Sequence, residues 1–157
     1  MKRKSKHVRV MRLWDWSEAK TAVPYLRSVL ISLREHWLEA RTAQVALDRH
    51  ISDSSPRNTG RLLREKACQD DLTRAQDKFD LALEELAQID VFLLDPVNGL
   101  ALMPFRNEND LAWYYIDLFE PEVFAGWRFH DDPIEVCRPI ELVNHPPLTK
   151  SLQKAAR

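Results

Sequence analysis

With 157 residues, 45% of them apolar, and a formal charge of −1, the chain is the size of one domain and long enough to bury about 70% of its unfolded surface. Its longest apolar runs, such as Val91–Leu94, fall far short of the ~20 residues of a membrane-spanning helix, and no apolar secretory segment follows the basic N-terminus, so a cytosolic protein is expected. Three glycines leave no Gly-rich phosphate loop, and the two cysteines, Cys68 and Cys137, read as free thiols in a reducing compartment.

The small net charge hides an asymmetry. Residues 1–12 carry six basic side chains and residues 150–157 three more, with no acid in either segment, which leaves 14 basic and 24 acidic groups, a formal −10, for residues 13–149. A basic arm of this kind suits nucleic acid or anionic lipid. An acidic body repels phosphate, so the preferred reading is a pair of solvated tails, and nucleic-acid binding is disfavoured.

Asp15, with Glu18 three residues on and Trp14 just before, forms a capping-box pattern that starts a helix at Trp16. Pro24 cannot donate to that helix, so a short first helix to about residue 22 and a second with Pro24 in its first turn are expected. Leu26, Leu30, Leu33, Trp37, Ala40, Gln44, Leu47 and Ile51 then recur at spacings of four and three, the seam of a helix packed in coiled-coil fashion on another helix. Cys68, Leu72, Ala75, Phe79, Ala82, Leu86 and Ile89 repeat the spacing, and "SDSSPRNTG" between the two series has the composition of a loop. An antiparallel helical hairpin follows, with Ile51 near Arg61 and, by extension, Trp37 facing Ala75 and Ala40 facing Leu72.

From Val91 the period changes to two. "VFLLD" and "LALMPF" flank Asn98-Gly99 as a hairpin turning there, "RNENDL" makes the next turn, and 111–119, "LAWYYIDLF", is the most strand-like segment. "GWRF" and "IEVCRPIEL" add two short strands in this reading, with Pro104, Pro133 and Pro139 at strand edges or ends. The class is α+β: a short helix, a long helical hairpin and a small antiparallel sheet. The domain spans 13–142, with a hairpin lobe over 13–90 and a β lobe over 91–142, between a basic tail at 1–12 and a C-terminal tail at 143–157.

"WSEA", the proline of "AVPYL", the long hairpin, "DPVNGLALMPF", the "EPE" after the longest strand, Trp127 and "RPI" resemble, in this order and over about 13–142, the small bacterial proteins grouped as domain of unknown function family twenty-two-oh-three. That resemblance implies the domain and no particular reaction. Against the family pattern, Asp117 stands where an arginine is expected, Phe119 where a glycine is expected and Arg128 where a histidine is expected.

Two constellations carry chemistry in principle. In "RFHDDPIEVCRP", His130, Asp131, Asp132 and Cys137, with Glu120 and Glu122, supply metal-type donors without any established ligand spacing. Asp before Pro is equally a turn, which is the preferred reading. A cleft of Arg106, Asp117, Glu120, Arg128, His130 and Arg138 would clamp an anion and move a proton, but it contains no nucleophile and base pair; charges on the wet face of a thin sheet are preferred. No catalytic residue and no cofactor is assigned. The aromatics from Trp113 to Phe129 read as core, and the acidic stripe Asp77, Asp80, Glu84 as solvated surface; Glu35 and Glu39 read likewise, and His36 beside them lacks the repeat of a di-iron bundle.

A two-helix hairpin has too few neighbours to bury everything it carries, so off-seam Leu38, Val45, Leu63 and Leu83 are candidates for an added interface. The expected function is a non-enzymatic module that presents the hairpin to a protein partner or to a second copy, most simply as a two-fold dimer. The rival is a ligand-binding protein or enzyme with its site in the β lobe.

Overall fold

The computed structural model describes residues 9–142. Helix α1 runs Trp16–Thr21, α2 Val23–Ser52 and α3 Thr59–Gln88; strands β1 (Phe92–Asp95), β2 (Leu100–Asn107), β3 (Asp110–Asp117) and β4 (Phe124–Phe129) follow, then one 3-10 turn, Ile140–Leu142. The sheet is an antiparallel meander in the order β1-β2-β3-β4, so the architecture is α+β as the patterning predicts. Among the described residues, no helix is long and apolar enough to cross a membrane.

The helix boundaries follow their local chemistry. The Asp15 carboxylate accepts from the Glu18 N–H at 2.8 Å and caps α1. Ala22 ends α1, and Pro24 sits in the first turn of α2, where its missing N–H has no partner to lose. Asn58 caps α3 by accepting from the Arg61 N–H at 2.8 Å. Thirty residues in each of α2 and α3 make arms of roughly 45 Å.

Only the lower part of the hairpin rests on the sheet. Leu26, Leu30, Leu33 and Leu86 are fully buried in one core with Met103, Tyr114 and Ile116. Phe105 stacks on Tyr114 at 3.8 Å with rings 8° from parallel, and Trp16 lies 5.3 Å from Tyr114 and 5.1 Å from Phe124. Register puts Ala101, Met103 and Phe105 of β2 beside Ile116, Tyr114 and Ala112 of β3 on this face.

The sheet departs from expectation in four places. The first hairpin turns through Pro96–Gly99 rather than through Asn98-Gly99 alone, because the Asp95 carboxylate gathers the Val97 and Asn98 N–H groups at 2.9 and 3.1 Å. Gly99 takes φ +63°, and a side chain there would meet Leu118 at 2.5 Å. Strand β3 stops at Asp117, whose carboxylate accepts from the Phe119 N–H and starts a turn. Pro104 is mid-strand rather than at an end; its carbonyl faces the side where β1 has already finished and accepts from the Trp14 N–H at 2.9 Å. In an antiparallel strand the N and C=O of one residue share a side, so its missing N–H leaves the ladder with β3 intact. Finally, 134–142 is not a strand: Arg138 alone bridges to Trp127, and Ile140–Leu142 is a 3-10 turn. Pro133 accepts from the Val136 N–H in a turn, and Pro139 has no N–H to extend the bridge.

The basic N-terminal segment is tied to the fold at Arg9 and Arg12. Arg9 pairs with Asp90 at 2.7 Å and also donates to the Ala87 carbonyl, while the Arg12 N–H donates to the other Asp90 oxygen at 2.8 Å. Trp14 Nε1 donates to the Ile89 carbonyl at 3.0 Å. These bonds clasp the corner between α3 and β1, where Asp90 is buried at φ +57°. Residues 1–8 and the tail expected over 143–157 lie outside the described residues.

Candidate functional site

The charged segment after β4 is a turn built around Asp132. Its carboxylate accepts from the Phe129 N–H at 2.9 Å and from two nitrogens of Arg138 at 3.0 to 3.1 Å, and its own N–H donates to the Phe129 carbonyl at 3.2 Å. Arg128 donates to the Asp132 carbonyl from the adjoining strand. The Phe129 N–H above all holds the Asp132 carboxyl below the usual carboxylate range; desolvation opposes it, and Arg138 adds to the lowering.

The neighbours of this turn are equally engaged. Arg138 exchanges backbone bonds of 3.0 and 2.7 Å with Trp127, and its guanidinium lies 5.6 Å from the Trp127 ring and 5.1 Å from Phe129. Trp113 Nε1 meets His130 Nδ1 at 3.0 Å; an indole only donates, so Nδ1 accepts and neutral His130 carries its proton on Nε2. Tyr115 donates to the Ile134 carbonyl at 2.6 Å, and burial pushes its phenol up despite nearby Arg128. The segment passes so close over β4 that a side chain at Gly126 would meet Cys137 Sγ at 2.3 Å and the Arg138 carbonyl oxygen at 2.6 Å.

Of the metal-type donors, Asp132 has both oxygens committed to Arg138 and His130 has Nδ1 committed to Trp113. Asp131 and Cys137 are exposed. Among the described residues, no three His, Cys, Asp or Glu side chains are grouped to hold a metal ion.

The structure divides the six-residue cleft in two. Arg106 is opposite Leu111, and the Leu111 carbonyl accepts from the His130 N–H at 2.9 Å, so Arg106, Arg128, His130 and Arg138 share one end of the sheet. Asp117 is opposite Leu100, six ladder positions and roughly 20 Å away, with Glu120 just beyond it. Arg128 and Arg138 do come together, but through Asp132. Arg128 Nε, buried, has no hydrogen-bond partner in this arrangement.

The other end of the sheet meets the hairpin, and here the sequence reading missed the residues that matter. Arg27 donates to the Glu120 and Pro121 carbonyls, and Arg34 to the Val97 carbonyl at 2.9 Å with its guanidinium 5.4 Å from the Phe119 ring. Among the described residues, Arg34 is the last on α2 whose side chain hydrogen-bonds the β lobe. One turn further out Trp37 is 41% exposed and packs on Phe79 at 5.7 Å, a turn away from the Ala75 that seam arithmetic selects. A groove beside this pair is lined by Ala40, Gln44, Leu72 and Gln76.

The tip is pinned by Arg61. Its buried guanidinium donates to the carbonyls of His50 and Asp53 at 2.7 Å each and to that of Ser55, while Nε meets Glu65 at 3.1 Å. A planar fork with five donors suits a helix end, where carbonyls lack intrahelical partners. Ile51 thus ends near Arg61, as the register predicts. Off-seam Leu38, Val45, Leu63 and Leu83 are all exposed, and so are Ile51 and Leu62 at the tip.

Comparison with protein-family models, with curated proteins and with solved structures gave no match.

Proposed function

We propose that the protein is a non-enzymatic module whose helical hairpin is its working surface, and that the hairpin binds a second copy of the chain. The observation that carries this reading is the exposure of one seam. Leu26, Leu30 and Leu33 are buried, yet Trp37 and Ile51, further along the same strip of α2, stand open to solvent. Large apolar side chains left uncovered on a two-helix rod, here on either side of polar Gln44 and buried Leu47, mark a surface made to be covered.

The turn around Asp132 supports the same choice from the opposite direction. Asp132 is held by Arg138 and His130 Nδ1 by Trp113, so an anion at Arg138 or a metal ion at Asp132 and His130 Nδ1 would have to displace existing bonds. On this reading Arg128, Arg138 and Asp132 hold the segment after β4 against the sheet, and Glu120 contributes its backbone carbonyl to Arg27. The resemblance to domain of unknown function family twenty-two-oh-three, carried by short motifs, is compatible with such a role and adds no reaction to it. A cytoplasmic location is part of the proposal.

The test compares the full chain with a variant in which residues 40–72 are replaced by a short Gly-Ser link. Sedimentation is expected to give a dimer for the former and a monomer with an intact sheet for the latter. An unchanged oligomeric mass in the shortened chain, or a full chain monomeric at every concentration, would overturn the reading.

A further inference from the structure

Resting on the reading of the hairpin as a self-association element, we propose that its bare face is covered by a second copy lying antiparallel, with the tip of each hairpin seated on the root of the other. Two apolar patches lie on this face. At the root are Trp37 and, on the β lobe beside Arg34, Phe119, 63% exposed, with Val97. At the tip are Ile51, 57% exposed, and Leu62. Trp37 and Ile51 are 14 residues apart on α2, roughly 21 Å, with Gln44 midway. A two-fold axis through Gln44 places each patch on its counterpart in one closed contact, with nothing left to propagate a filament.

Charge selects this orientation and a copy of this chain as the occupant. From 41 to 66 the hairpin carries six basic and three acidic side chains; over 23–40 and 67–88 it carries four basic and eight acidic ones. The basic tip includes Arg57 and Lys66, both exposed, and the acidic root Asp77 and Asp80, with Glu120 and Glu122 on the adjoining loop. Inversion sets the tip of one copy over the root of the other and Arg41 over Asp48. A parallel arrangement would set basic tip against basic tip, and like charges across an interface are repulsive.

The experiment uses the full chain with Cys68→Ala and Cys137→Ala, carrying either Trp37→Cys or Ile51→Cys, and a short bismaleimide. A mixture of the two variants is expected to yield crosslinked dimers containing one of each, and neither variant alone to crosslink. Crosslinking of the Ile51→Cys variant to itself would overturn the inverted geometry and leave self-association standing; a chain that stays monomeric overturns both. Because Trp37 also packs on Phe79, a second pair uses exposed charges only. Arg57→Glu is expected to weaken the dimer severalfold, and adding Asp77→Lys with Asp80→Lys to recover most of that loss. No loss on the first reversal, or no recovery on the second, counts against the proposal.

Discussion

The lower and upper parts of α2 use one repeating pattern and reach opposite ends. Up to Leu33 the apolar strip is buried under the sheet; beyond Arg34, whose bond to Val97 marks where the β lobe stops, it has only α3 beside it, which covers Leu47 but leaves Trp37 and Ile51 exposed. A heptad-like seam therefore specifies that a surface will be apolar, while the number of elements meeting there decides whether it is covered. Two helices leave a rod with two open sides; two helices on a sheet make a core.

The sharpest way to break this comparison is to truncate on both sides of the boundary. Leu33→Ala removes a fully buried side chain and is expected to cost about 2–5 kcal/mol in urea unfolding. Trp37→Ala, four residues on, should cost less than half as much in dilute solution despite its larger side chain. Its penalty should grow with protein concentration, because a partner that binds only the folded chain adds stability by mass action; equal and concentration-independent losses would erase the distinction between the two halves.

Next in size is the tip. Arg61→Met keeps the bulk but leaves the His50 and Asp53 carbonyls without their donor, and should cost about 1–3 kcal/mol while accelerating hydrogen exchange around residues 50–62 more than at the root. Arg61→Lys should recover little, since one ammonium cannot span the three carbonyls. At the lower end, Asp15→Ala removes the α1 cap and should cost about 1 kcal/mol without altering self-association.

The smallest effect concerns the turn in the β lobe. The Asp132 carboxyl titrates below its ordinary value in the folded chain, so its stabilisation is fully present above the ordinary carboxylate range near pH ~3.9 and is lost as pH falls through the lower, folded value. Asp132→Asn should therefore be less stable than the parent at neutral pH, with the gap closing only in strong acid. A gap independent of pH would mean that the charge plays no part in holding the turn.

Legibility in the sequence tracked the range of the interaction. Asp15 with Glu18 and Pro24 act within four residues, and the helix boundaries they announce are those observed; the Asn58 cap of α3, inside a stretch read only as a loop, came from the structure. The β lobe was legible to the level of its strands, but not at 134–142, where Pro133 just before the segment, Pro139 within it and the close passage over Gly126 turn an alternating pattern into a single bridge. The proposed cleft dispersed because residue type says nothing of which end of a sheet a strand presents. Arg106 and Asp117 are eleven residues apart in sequence and six ladder positions apart in space. The arginines that do tie elements together, Arg27, Arg34 and Arg61, carry no motif; their partners are backbone carbonyls, which every residue possesses.

By itself, the sequence determined the helical hairpin followed by an antiparallel sheet and the hairpin's approximate register, because helical period, caps and turn residues are properties of the local chain. Only the tertiary structure decided that Asp132 closes a turn, that Arg61 pins the tip and that the apolar strip of α2 outruns the sheet. Each of those outcomes depends on where separate segments end relative to one another, a distance that no local pattern encodes.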